Sequence, residues 1–265
     1  MREVIGFDCE GDRIAATLDH AEGRTGLLIV SGGNEIRIGA HRGMAFLAQR
    51  VAAAGYPVLR YDRRGIGDSE GENRGFLESA DELAAVTQTF RQALPVERIV
   101  ALGNCDAATA LALFHQRAGI DALLLANPWV IETESDLPPP AAIRARYAER
   151  LRDPRQWIRL ARGGVNIRKL VKGLARSANS PSKGNSLAID MAAALASSDA
   201  PATILLADRD NTAIAFREAF QRPAFASVCA RASIAIRETA SHSFAREGDA
   251  DWLFAKVIEA LEAAQ

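Results

Sequence analysis

A chain of 265 residues, 48% hydrophobic and 25% charged, is long enough for one large core. A net charge of −1 speaks against nucleic acid as a partner. Three scattered cysteines (Cys9, Cys105 and Cys229) with no CxxC pair speak against a disulfide framework or a zinc site, so neither metal nor cofactor is expected. No apolar run approaches the ~18–20 residues of a membrane span. The opening stretch Met1–Arg13 carries charges at once and lacks a signal-peptide core. A cytoplasmic protein with no integral membrane segment is therefore expected.

Glu3–Cys9 and Arg13–Leu18 flank Glu10-Gly11-Asp12, the pattern of a hairpin. Gly26–Val30 is a continuous apolar run ending in Ser31-Gly32-Gly33, as suits a strand buried on both faces of a parallel sheet. A helix is predicted over 43–54, a strand over Tyr56–Tyr61, and a loop over Asp62–Gly71. Next come a helix over Ala80–Ala93, a strand over Ile99–Leu102, a helix over Cys105–Gln116 and a strand over Ala122–Ala126. From Asp136-Leu137-Pro138-Pro139-Pro140 to about Asn185 the chain is rich in Arg and poor in strand character. The alternation then resumes with a helix at Leu187–Ser197, a strand at Ala202–Ala207 and a helix at Thr212–Phe220. A strand at Ser233–Glu238 and a helix at Ala250–Ala263 close the chain. Alternating strands and helices mean an α/β fold: a mostly parallel sheet with helices on both faces. The predicted organisation is a core of 1–131 and 186–265, interrupted by a helical cap at 132–185.

Gly103-Asn104-Cys105-Asp106-Ala107 has the layout of a nucleophile elbow, a sharp strand-to-helix turn that lifts its central residue above the sheet edge. The turn crowds the positions two before and two after that residue, and Gly103 and Ala107 are small. The helix behind Cys105 favours the thiolate, the reactive form of the thiol. The plainer alternative is a cysteine that serves only as a small buried hydrophobe.

A nucleophile of this kind needs a base, and the base an orienting acid. On this layout the chain order is nucleophile, acid, histidine. Only His115 and His242 follow Cys105. His115 lies inside the next helix and would point away, whereas His242 follows the last predicted strand, at the sheet's carboxyl edge where ligands collect. Asp210 is the preferred acid and Asp208 the fallback; either could simply cap the following helix. For the oxyanion hole the candidates are the amide of Asp106 and one from Gly33 or Asn34. Nothing in the sequence identifies a partner for the carboxylate of Asp106. Trp129, His41, Arg37, Arg155 and Arg159 are candidates for binding substrate.

Together these features resemble the α/β-hydrolase superfamily over essentially the whole chain. Tyr61-Asp62-Arg63-Arg64-Gly65-Ile66-Gly67-Asp68-Ser69 is similar to the D-x-R-G-x-G-x-S loop common in that superfamily. Three stretches resemble the first type of exosortase-A-associated hydrolase. They are Val30–Asn34 running on through Arg37–Arg42, the RYDRRGIGDSEG loop, and the elbow GNCDAAT. The resemblance implies a cytoplasmic hydrolase or acyltransferase serving exopolysaccharide and protein-sorting pathways. Its substrate would be a small-molecule or carrier-bound acyl group. A catalytically silent binding or scaffold protein on the same fold is the alternative.

Between Ala141 and Arg176 stand eleven Arg and Lys residues against only Glu149 and Asp153. Such a run is either a solvated lid or a surface that draws an anionic acyl carrier to the site.

Overall fold

The computed structural model describes residues 1–131 and 186–265. The expected cap at 132–185, with Arg155 and Arg159, lies outside the described residues.

Eight strands form one sheet: β1 (Arg2–Cys9), β2 (Asp12–Asp19), β3 (Thr25–Val30), β4 (Val58–Tyr61), β5 (Arg98–Asn104), β6 (Ala122–Ala126), β7 (Ala202–Ala207) and β8 (Ser233–Arg237). Their spatial order is β1-β2-β4-β3-β5-β6-β7-β8. β1 and β2 form the antiparallel hairpin, β2 meets β4 antiparallel, and the rest pair in parallel. The main helices are α1 (Gly43–Ala53), α2 (Ala80–Ala93), α3 (Asp106–Ala118), α4 (Ser186–Ala196), α5 (Asn211–Phe220), the short α6 (Ala226–Cys229) and α7 (Asp249–Ala263).

The period of two along β3 explains why its whole run is apolar. Leu28 and Val30 face one core, with Leu83, Phe90, Leu111, Met191 and Phe216. Leu27 and Ile29 face the other, with Leu47, Val51, Leu253 and Val257. Every residue of β3 is buried.

Several boundaries shift by a residue or two from expectation, and two of the shifts have clear local reasons. β4 begins at Val58, not Tyr56. The Tyr56 amide turns back to the carbonyl of Val51, and Pro57, which has no amide hydrogen, offers β3 only its carbonyl. α3 begins at Asp106 because Cys105 has φ 61 and ψ −125, outside any helix.

Among the described residues, no helix is long and apolar enough to cross a membrane.

Candidate active site

β5 delivers Cys105 to the carboxyl edge of the sheet at the N-terminus of α3. A non-glycine residue at φ 61 is strained and persists only if its surroundings hold it. The Cys105 amide donates to Ala126 O at 2.9 Å, and its carbonyl accepts from Trp129 N at 3.1 Å. The turn leaves no room beside it: a Cβ on Gly103 would lie 2.8 Å from the Ala107 backbone.

The structure brings Cys105, His242 and Asp210 together from three different segments. His242 Nδ1 lies 3.1 Å from Asp210 Oδ1. Hydrogen bonding with Asp210 first, and with Cys105 second, raises the His242 pKa to about 10, against the opposing effect of burial. Nδ1 is taken by Asp210, so Nε2 is the nitrogen left for the thiol. Burial pushes the Asp210 carboxyl upward, but His242 and the amides of Ala213 and Thr212 outweigh it and leave its pKa below the usual 3.8. Capping and orientation are not rivals at Asp210. One oxygen, Oδ1, accepts Thr212 N and Ala213 N at 3.0 Å each and also faces His242. Asp208 does something else: its Oδ1 accepts the Thr239 amide at 2.9 Å and ties down the turn that leads to His242. His115 is buried inside α3 with Nδ1 3.0 Å from Ala112 O, away from this cluster.

The amide of Asp106 opens α3 beside the thiol. The amide of Gly33 donates to the carboxylate of Asp106, 2.6 Å away at Oδ1. Asn34 is exposed, and its side-chain oxygen accepts Asn73 Nδ2 at 3.1 Å. Gly32 is needed for this approach, because a Cβ there would fall 2.3 Å from Asn104 O.

The remaining candidates divide. Trp129 is half-buried beside the elbow, with its carbonyl accepting Thr109 Oγ1 at 2.6 Å. Arg37, expected to bind substrate, is instead committed to the scaffold. Its guanidinium pairs with the fully buried Asp62, meets Asp68 at 2.9 Å and donates to Thr17 Oγ1 at 3.0 Å. His41 is exposed on the Ala40–Arg42 turn, and no contact links it to Cys105 or His242 among the described residues.

Sequence reasoning missed Asn127. It is fully buried, at φ 43. Its Nδ2 donates to His242 O at 2.9 Å and Asn104 Oδ1 at 3.2 Å, and its Oδ1 accepts Ala207 N at 2.9 Å. One side chain thus joins the ends of β5 and β7 to the loop that carries His242. The only signal in the sequence was an asparagine, the residue that best tolerates a left-handed backbone after glycine, directly behind an apolar strand.

Solved structures of similar fold include the esterase Pf2001 of Pyrococcus furiosus, at 13% identity and TM-score 0.66, covering 100% of this chain and 93% of that one. The thioesterase domain from the curacin biosynthetic pathway matches at 15% identity and TM-score 0.61, covering 97% and 99%. The proline iminopeptidase of Mycobacterium smegmatis matches at 15% identity and TM-score 0.63, covering 99% and 100%. At these identities the likeness is one of fold. No curated protein matches the sequence. The model of the Hydrolase_4 family, described as serine aminopeptidase S33, matches residues 24–180, although the elbow within that span carries Cys105 and not serine. That span runs from before β3 through the elbow and takes in more than half of the chain, which therefore belongs to the Hydrolase_4 (S33) family of α/β-hydrolases.

Proposed function

We propose that the protein is a cysteine-nucleophile hydrolase or acyltransferase that acts on an ester or thioester through an acyl-enzyme. The observation that carries this reading is the Cys105–His242–Asp210 array at a strained elbow, with the His242 pKa raised to about 10. An imidazole that holds its proton at neutral pH is a poor base for a serine hydroxyl. Set between the Asp210 carboxylate and Cys105, it can carry a proton from the thiol to a leaving group.

In the proposed reaction Cys105 Sγ attacks the acyl carbon. A C–S bond forms, and the carbonyl π pair moves onto oxygen, held by the amide of Asp106 and that of Gly33 or Asn34. As the tetrahedral intermediate collapses, the bond to the leaving group breaks, and that group takes the proton from His242 Nε2. The acyl-cysteine is a thioester. Water, an alcohol, a thiol or an amine gives its proton to His242, attacks the carbonyl and releases the thiolate. Asp210 holds the imidazole ring throughout. Since thioesters yield readily to acceptors other than water, transfer stands beside hydrolysis.

The resemblance to the exosortase-associated hydrolases supports a cytoplasmic role in exopolysaccharide or protein sorting. The basic stretch between Ala141 and Arg176 supports a carrier-bound acyl donor with anionic groups, since the arginine fork fits phosphate.

The direct test is intact mass after incubation with a panel of acyl esters and thioesters. An acyl adduct on the wild type that is missing from Cys105→Ala supports the reading. Full turnover by Cys105→Ala removes Cys105 from the mechanism.

A further inference from the structure

Asp106, the residue after the nucleophile, places a carboxylate where an acyl oxygen would have to arrive. Its Oδ1 holds the Gly33 amide at 2.6 Å. Its Oδ2 stands 3.4 Å from Arg63 Nη2, and the same Nη2 donates to the Gly33 carbonyl. Both polar groups of residue 33 are therefore held by one carboxylate–guanidinium pair. Gly33 itself is exposed, with nothing within 4 Å of where a Cβ would stand, so an incoming ligand can reach it. Arg63 is buried, 5% exposed, and its Nε and Nη1 have no hydrogen-bond partner among the described residues.

A hydrogen bond to a charged acceptor is about twice as strong as a neutral one. An amide bonded in this way to a carboxylate cannot also serve an acyl oxygen at full strength. The acyl oxygen must displace the carboxylate, and the displaced charge then needs a partner, because an unpaired charge beside a buried one is costly. Arg63, with Nη2 already 3.4 Å from Oδ2 and two further donors unengaged among the described residues, is the cation at hand.

We propose that Asp106 and Arg63 form a latch on the oxyanion loop. With the acyl site empty, the carboxylate occupies the Gly33 amide; an arriving acyl oxygen takes that amide and sends the carboxylate onto Arg63. The proposal rests on Cys105 being the nucleophile and Gly33 an oxyanion donor. It makes acylation, and not the reactivity of the thiol, the step that senses Asp106.

Asp106→Ala keeps the backbone amide and removes the latch. Two rates are compared in the wild type and the variant. One is the burst of nitrophenolate from p-nitrophenyl acetate, in which the C–S bond forms, an oxyanion develops and the bond between the acetyl carbon and the phenolic oxygen breaks. The other is alkylation of Cys105 by iodoacetamide, in which sulfur displaces iodide and no oxyanion forms. The latch predicts that the ratio of acylation to alkylation rises about ten- to a hundredfold, the scale of a hydrogen bond to a charged group. Asp106→Asn can still accept from Gly33 but carries no charge, and should raise the ratio by less; it gives the same sign if the alanine variant folds poorly. An unchanged or lower ratio overturns the latch, and a lower one means that the carboxylate builds the hole instead of filling it. The underlying reading fails differently: Cys105 of the wild type would alkylate no faster than Cys9 or Cys229 and form no acyl adduct, which overturns both.

Discussion

Asn127→Asp is the most informative single substitution at the centre of the fold. The two side chains have the same size, and both tolerate the left-handed backbone at φ 43. The change keeps the acceptor for Ala207 N and replaces the amino group that donates to His242 O and Asn104 Oδ1. Two acceptors then face an oxygen. Each buried polar group left without a partner costs about 1–3 kcal/mol, so the ionised variant should lose about 2–6 kcal/mol. Protonation would restore one donor, and burial among acceptors raises the pKa of the new carboxyl. A raised folded-state carboxyl pKa means that the folded state holds its proton more tightly than the unfolded chain. The penalty should therefore be smallest near the unfolded carboxyl value of about 3.9 and grow as pH rises. Urea unfolding of both proteins at pH 4.5 and pH 8 measures it. A loss below about 0.5 kcal/mol at pH 8, or one independent of pH, would refute the account of Asn127 as the joint between strands and histidine loop.

Asp210→Asn should retain the α5 cap, since its oxygen can still accept Thr212 N and Ala213 N, yet lower turnover by ~10³–10⁴ as the imidazole loses its orienting charge. Asp208→Asn can still accept Thr239 N and should cost far less; the reverse ranking in a steady-state assay would exchange the two roles. With the His242 pKa raised from 6.5 to about 10, its contribution to stability is complete below pH 6.5 and lost as pH rises through about 10. The lowered Asp210 contributes above 3.8 and is lost as pH falls below it. Chemical unfolding across pH should thus show the excess of the wild type over Asp210→Asn greatest between about 4 and 6.5, and an excess peaking at pH 9 or above contradicts the pairing. If the basic stretch recruits an anionic carrier, raising salt beyond ~0.15 M should increase KM for a coenzyme A thioester and leave that for a neutral ester unchanged; equal responses refute recruitment.

The sheet was readable because each of its signals is local. β3 shows itself by an unbroken apolar run, and α3 by its small residues behind the elbow. What the sequence concealed lies in contacts between distant residues. Asn127 meets Asn104, Ala207 and His242 across 23, 80 and 115 positions. The Asp106 carboxylate finds Gly33 across 73 positions, so no local pattern could name its partner. Arg37 looked available because its partners, Thr17 and Asp62, lie 20 residues before it and 25 after. At Asp210 two readings competed only because a sequence offers one role at a time, whereas a carboxylate oxygen accepts several donors.

That shared oxygen mechanically couples the histidine to a helix. α5 begins on the same atom that steers the imidazole, so a slide of α5 along its axis is felt at the ring and then at the thiol. Asp210→Glu, with one added methylene, should therefore disturb the helix amides and the imidazole together.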